Sequence, residues 1–113
     1  MKGSLGDRIR LIHIQEAIYE IDSYLDGVGY SDFLKNSMLR FACIKQLEII
    51  GEAAKHLSNE LREKHVKIPW PEIIGLRNLL IHEYFGIDQQ IVWTILTEDI
   101  PIFKFNLEAL LES

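Results

Sequence analysis

The stretch Arg77-Asn78-Leu79-Leu80-Ile81-His82-Glu83-Tyr84 gathers a guanidinium, a primary amide, an imidazole and a phenol within about two helical turns. With Arg77 set at 0° and about 100° per residue, Asn78 falls near 100°, His82 near 140° and Tyr84 near 340°. Asn78 and His82 are therefore neighbours on one ridge, and the long arginine side chain can lean toward them. These residue types suit cleavage of a phosphodiester by an adjacent hydroxyl, as in RNA attacked by its own 2′-oxygen. A histidine can take or supply a proton near neutral pH. An arginine fork matches a phosphate and stabilises charge growing on its oxygens. One histidine cannot serve as acid and base in the same step, so a symmetric pair of such helices facing one cleft would complete the set.

From periodicity alone, an arginine and a histidine on an amphipathic helix are more often surface or cap residues than catalysts. A tyrosine there commonly seals a core edge with its hydroxyl in water. A metal site is the other chemical option. The chain carries His13, His56, His65 and His82, but no His-Glu-x-x-His and no cysteine pair, so neither a metal nor a cofactor is expected. Cys43 lies in the apolar run Phe41-Ala42-Cys43-Ile44, which predicts a buried, inert thiol.

The elements that must position this stretch read as helices. Leu11, Ile14, Ile18, Ile21 and Leu25 recur at helical spacing and predict a helix over about 5–25, ended by Gly27 and Gly29. Ser31, with Asp32 beside it, is expected to open the next segment. From there to about Lys64, Leu47, Ile50, Ala54, Leu57 and Leu61 mark one face of the longest helix, or of two helices with a bend near the start. Gly51 inside it suggests close approach of another helix. Lys45, Glu52 and His56 point away from that stripe, as a solvated face with Glu52–Lys55 and Glu52–His56 pairs.

Pro69 and Pro71 bracket Trp70, which is expected to plug the end of the bundle, and Pro71 suits a helix first turn. That helix carries the opening stretch to about Phe85 and stops at Gly86. Leu79, Leu80, Ile73 and Ile74 can face the core. Asp88 can cap a short helix with Ile91, Val92, Ile95 and Leu96. A bend or restart is expected near Pro101, before a terminal helix with Ile102, Phe103, Leu107, Leu110 and Leu111. No strand pattern appears. The fold class is all-α, a four- to five-helix up-and-down bundle forming a single domain over 1–113.

A chain of 113 residues with 48% hydrophobic and 26% charged residues is ordinary globular composition. No signal peptide and no membrane-spanning run is visible, and a lone cysteine fits a reducing compartment, so a cytoplasmic protein is expected. The net charge of −5 argues against a general nucleic-acid coat and leaves room for a local site.

Arg77-x4-His82-x-Tyr84 resembles the signature of HEPN domains, specifically of HepT-type toxins. The flanks Ile50-Gly51-Glu52-Ala53-Ala54, Ile68-Pro69-Trp70, Leu76-Arg77-Asn78, Val92-Trp93 and Asp99-Ile100-Pro101 carry the likeness through nearly the whole chain, in order. The resemblance implies a HEPN-type bundle, a homodimer and metal-independent endoribonuclease activity within a type VII HepT/MntA toxin-antitoxin system. It implies Arg77 and His82 as the catalytic pair at the dimer cleft, with Asn78 and Glu52 in support. It also implies a cognate MntA-like nucleotidyltransferase antitoxin that silences the toxin by transferring AMP to Tyr84. The competing reading is a non-catalytic HEPN-type module that assembles with such a nucleotidyltransferase. A purely structural bundle would leave the polar wedge without a purpose.

Overall fold

The computed structural model describes residues 4–82 and 88–112, apart from the side chains of Ser4, Leu79, Ile81 and His82. The helices are α1 (Ser4–Leu25), α2 (Tyr30–Lys35), α3 (Ser37–Lys55), α4 (Asn59–Lys64), α5 (Trp70–His82), α6 (Gln89–Thr94) and α7 (Ile100–Glu112). A π-helical turn over Ile95–Asp99 joins the last two. No strand occurs among the described residues, and the all-α bundle is as expected. Its principal rods are α1, α3, α5 and the α6–π–α7 unit, with α2 and α4 as short connecting pieces.

The core follows the apolar stripes. Leu11, Ile14, Ile18 and Ile21 of α1 are buried against Leu47, Ile50 and Ala54 of α3, with Leu80 of α5 and Leu107 of α7 in the same cluster. α3 packs along both α1 and α5, which makes it the central rod. Trp70 is buried, donates its indole N–H to the His65 carbonyl at 3.1 Å, and meets Phe103 edge-on at 6.1 Å, so it does close one end of the core. Cys43 is buried, and loss of hydration pushes its thiol up to about 11, consistent with an inert core residue.

The chain between Tyr30 and Lys64 is three helices rather than one or two. Asn36 ends α2 and caps α3, its Oδ1 accepting from the Leu39 amide at 3.0 Å. The start of α2 is also different from expectation. Gly29 is the cap, and Asp32 reaches back to accept from its amide at 3.2 Å, so Ser31 is already inside the helix. The second break comes at Ser58, whose Oγ accepts from Leu61 N at 3.1 Å and caps α4. Asp7 of α1 fixes that break: its carboxylate accepts from Ser58 N at 2.9 Å and from Ser58 Oγ at 2.7 Å. Asp7 is the one buried charged residue among the described residues, and this double acceptance is what satisfies it.

Pro101 does not restart the chain. It lacks the amide hydrogen that an α-helix would direct to the carbonyl four residues back. The helix widens over Ile95–Asp99 instead, with the Ile100 amide donating to the Ile95 carbonyl, and α7 continues through the proline. Asp88 caps α6 as expected, accepting from Gln90 N at 2.9 Å.

Gly51 is where α3 and α5 come closest. A Cβ there would lie 3.1 Å from the Ile73 carbonyl oxygen and 3.3 Å from the Arg77 amide nitrogen. Both are backbone atoms, so neither can rotate out of the way. Alanine would gain about 1 kcal/mol of helix propensity. Overpacking against two fixed backbone groups costs typically about 1–3 kcal/mol. Gly51→Ala is therefore expected to lower stability by a net amount on the order of 1 kcal/mol, and Gly51→Val by more. Urea midpoints at unchanged m-value are the check, and a stabilised Gly51→Ala would refute the close-contact account.

Candidate active site

Arg77 sits on α5 one turn beyond Ile73, so the backbone that meets Gly51 also carries its guanidinium. Across that contact, Glu52 projects from α3, next in sequence to Gly51. The close approach brings Arg77 Nε within 3.6 Å of Glu52 Oε2. One turn along α3, the His56 ring nitrogen Nε2 lies 3.1 Å from Glu52 Oε1. One carboxylate thus stands between an imidazole and a guanidinium supplied by two different helices.

The two sides of this trio are not alike. At 3.1 Å the His56 ring N–H donates a hydrogen bond to the carboxylate. At 3.6 Å the Arg77 pair is an ion pair without a hydrogen bond, and Glu52 Oε2 is shielded from solvent with no hydrogen-bond partner. Because Arg77 approaches through Nε, its two terminal nitrogens keep the fork that matches a phosphate. The Glu52 carboxyl is held below its usual value, first by the His56 hydrogen bond, then by the charges of Arg77 and Lys55, against an opposing loss of hydration. All three side chains are about half exposed, so the pairing orients groups more than it stabilises the fold.

The trio forms one wall of an open groove of about 520 Å³ between α1, α3 and α5. Asn78 is exposed next to Arg77 on α5. The described part of α5 reaches His82, whose side chain lies outside the described residues, as do the whole of Tyr84 and the expected helix end near Phe85 and Gly86. Of the sequence-derived site residues, the structure therefore joins Arg77 to Glu52 directly and leaves Asn78 on the exposed side of the same helix. His56, read from sequence as half of a surface pair, belongs to this cluster as well. The signal for it was present in the four-residue spacing from Glu52, but only the crossing of α3 and α5 adds the arginine.

The all-α bundle agrees with the HEPN-type fold that the sequence resemblance implies. The profile of the ribonuclease HepT-like family matches residues 14–110, and the chain belongs to that family. A Methanocaldococcus jannaschii protein provisionally named an RNase is 44% identical over 98 residues, covering 87% of this chain and 90% of the relative. Another such protein, from Caldanaerobacter subterraneus, is 41% identical over 102 residues, covering 90% and 91%. A Thermococcus cleftensis protein provisionally named ribonuclease HepT is 42% identical over 97 residues, covering 86% and 88%. No solved structure matches the chain. No helix among the described residues is long and apolar enough to cross a membrane.

The depressed Glu52 carboxyl gives a signed pH test. A group whose folded pKa is lowered contributes stability above its ordinary range and loses that contribution as pH falls through the folded value. The stability difference between wild type and Glu52→Gln is expected to be constant near neutrality. It should begin to shrink as the pH drops below the ordinary value of 4.5 and close only below the lowered folded value. Denaturant titrations across that range read it; a difference that persists in acid would assign Glu52 a packing role instead.

Proposed function

We propose that the chain is a metal-independent endoribonuclease in which Arg77 and His82 carry the reaction, with Asn78 and Glu52 in support. The observation that carries this reading is the Glu52–Arg77 pair on a groove wall within a chain that matches the ribonuclease HepT-like family almost end to end. The 2′-oxygen attacks the adjacent phosphorus as its proton passes to a base, and the bond to the 5′-oxygen breaks as that oxygen takes up a proton. The products are a 2′,3′-cyclic phosphate and a 5′-hydroxyl. His82 supplies one of the two proton transfers. Arg77 neutralises the charge that builds on the non-bridging oxygens. Glu52 restrains the guanidinium from behind without saturating its donors. Asn78 offers a neutral amide to the same phosphate.

A homodimer placing two copies of α5 across one cleft supplies the second acid–base group. The resemblance also supports a place as the toxin of a HepT/MntA-type pair in the cytoplasm. There the Tyr84 oxygen would attack the α-phosphorus of ATP held by a nucleotidyltransferase antitoxin, with pyrophosphate leaving and AMP remaining on the phenol. An anionic adduct two residues from His82 competes with substrate phosphate for Arg77.

Purified protein is expected to cleave RNA in the presence of chelator and to leave cyclic phosphate ends. His82→Ala should slow that cleavage by about 10²–10⁴-fold with an unchanged thermal transition. Intact RNA after incubation with the wild type would favour the non-catalytic module. Incubation with the antitoxin and ATP should add the mass of AMP to the wild type and not to Tyr84→Phe; a modified Tyr84→Phe would overturn the tyrosine assignment.

A further inference from the structure

The groove that ends at Arg77 continues well beyond the residues assigned to the reaction. Its lining also includes Lys45 and Glu48 on the same ridge of α3 as Glu52, and Arg10 and His13 from α1. Lys45 and Glu52 are two turns apart, about 10 Å at 1.5 Å per residue. Arg10 and His13 are three apart and so share a face of α1. Three fixed cations, Arg10, Lys45 and Arg77, thus line one groove in a chain whose net charge is −5.

The two carboxylates in the groove pair with two of these cations, so the fixed charges leave the groove one positive charge in excess. Glu52 is held by His56 and Arg77, and Glu48 lies 4.0 Å from Lys45. The Arg10 guanidinium is steadied by its bond to the Gly6 carbonyl at 3.3 Å, which presents it from a fixed base rather than as a free-swinging chain. Lys45 is well exposed, with 69% of its side chain accessible.

We propose that Arg10 and Lys45 form a phosphate-binding track that holds the RNA strand on one side of the scissile bond, with the strand running from Arg77 along α3 to α1. This rests on the ribonuclease reading above and adds to it where the flanking nucleotides lie. A strand in this track exchanges condensed counterions for two protein cations, so its affinity falls with salt more steeply than contact at Arg77 alone would give. Among the described residues the open groove is lined by no Phe, Tyr or Trp, so contact to the backbone through its cations outweighs base stacking. Arg10 and Lys45 are binding residues: they act on KM and leave kcat to the α5 motif.

The test uses full-length protein and a fluorescein-labelled single-stranded RNA. In a His82→Ala background, anisotropy titrations over a salt series should show weaker binding for Arg10→Gln/Lys45→Gln. Its log–log salt slope should be shallower by about 1.4, at about 0.7 per phosphate contact. Lys64→Gln/Lys67→Gln removes the same charge from a separate groove beside α7 and should leave the slope unchanged. In the cleaving protein, Arg10→Gln/Lys45→Gln should raise KM with kcat retained. An unchanged slope and KM, or an equal loss in the Lys64/Lys67 control, overturns the track. Lost antitoxin binding with RNA KM unchanged would make the groove a protein interface and overturn it too. Absence of cleavage by the wild type overturns the ribonuclease reading, whereas wild-type cleavage with an unaltered KM in the double variant overturns the track alone.

Discussion

The contact on which the rest depends is the passage of the α5 backbone over Gly51. A hydrogen in place of a side chain lets Ile73 O and Arg77 N come within about a van der Waals diameter of where a Cβ would stand. Interiors are packed densely enough that such a gap cannot be reproduced by small adjustments elsewhere. Ile50 and Ala54, on the buried side of α3, and Leu76 and Leu80 on α5 then close the seam from within. The same contact sets the outer edge of the seam, where Glu52 and Arg77 meet. Core packing and site geometry are therefore two consequences of one helix separation.

That separation explains the unequal contacts of Glu52. Its bond to His56 lies within α3, where a four-residue spacing guarantees proximity whatever the rest of the fold does. Its approach to Arg77, at 3.6 Å, crosses between helices and depends on how α5 passes α3. Because the pair forms through Nε, the terminal nitrogens of the guanidinium stay available to a phosphate. A longer pair would leave the guanidinium to wander, at the entropy of a long side chain. Half exposure of all three groups keeps the arrangement wet enough for a polyanion to compete with Glu52 for the cation.

The apolar stripes and the turn chemistry made most of the fold legible in the sequence. The stripe from Leu11 to Ile21 and the one from Leu47 to Leu61 are buried, Gly51 is a close approach, Trp70 is an end plug and Asp88 is a cap. What was not legible came from partners distant in the chain. Ser58 reads as an ordinary polar residue in a helical run until Asp7, fifty-one positions away, binds its amide and hydroxyl and makes it a cap. The stripe of α3 continues through the break into Leu57 and Leu61, so periodicity, which allows one helix or two with a bend near the start, gives no sign of the break at Ser58. At Pro101 a bend or restart is the expectation from sequence, but a helix can also absorb the missing amide by widening. The site was legible as a motif on one helix; its junction with Glu52 and His56 required the crossing geometry. His82 and Tyr84 gain their roles from the resemblance, since their side chains lie outside the described residues.

The acidic balance of the chain, which argued against nucleic acid at first sight, becomes informative once charge is placed on the fold. A net charge of −5 spread over the surface repels a polyanion at distances beyond the Debye length only weakly at physiological salt. Close to the protein, what matters is the local sign, and the groove of Arg10, Lys45 and Arg77 is locally positive. A uniformly basic protein would hold RNA anywhere on its surface and lose strands to unproductive sites. An acidic surface with its cations gathered in a few grooves, the one beside Arg77 among them, limits where a strand can bind. On the proposed mechanism, the charge excluded from the rest of the molecule is what makes the small site selective for position along a strand, with no base contact required.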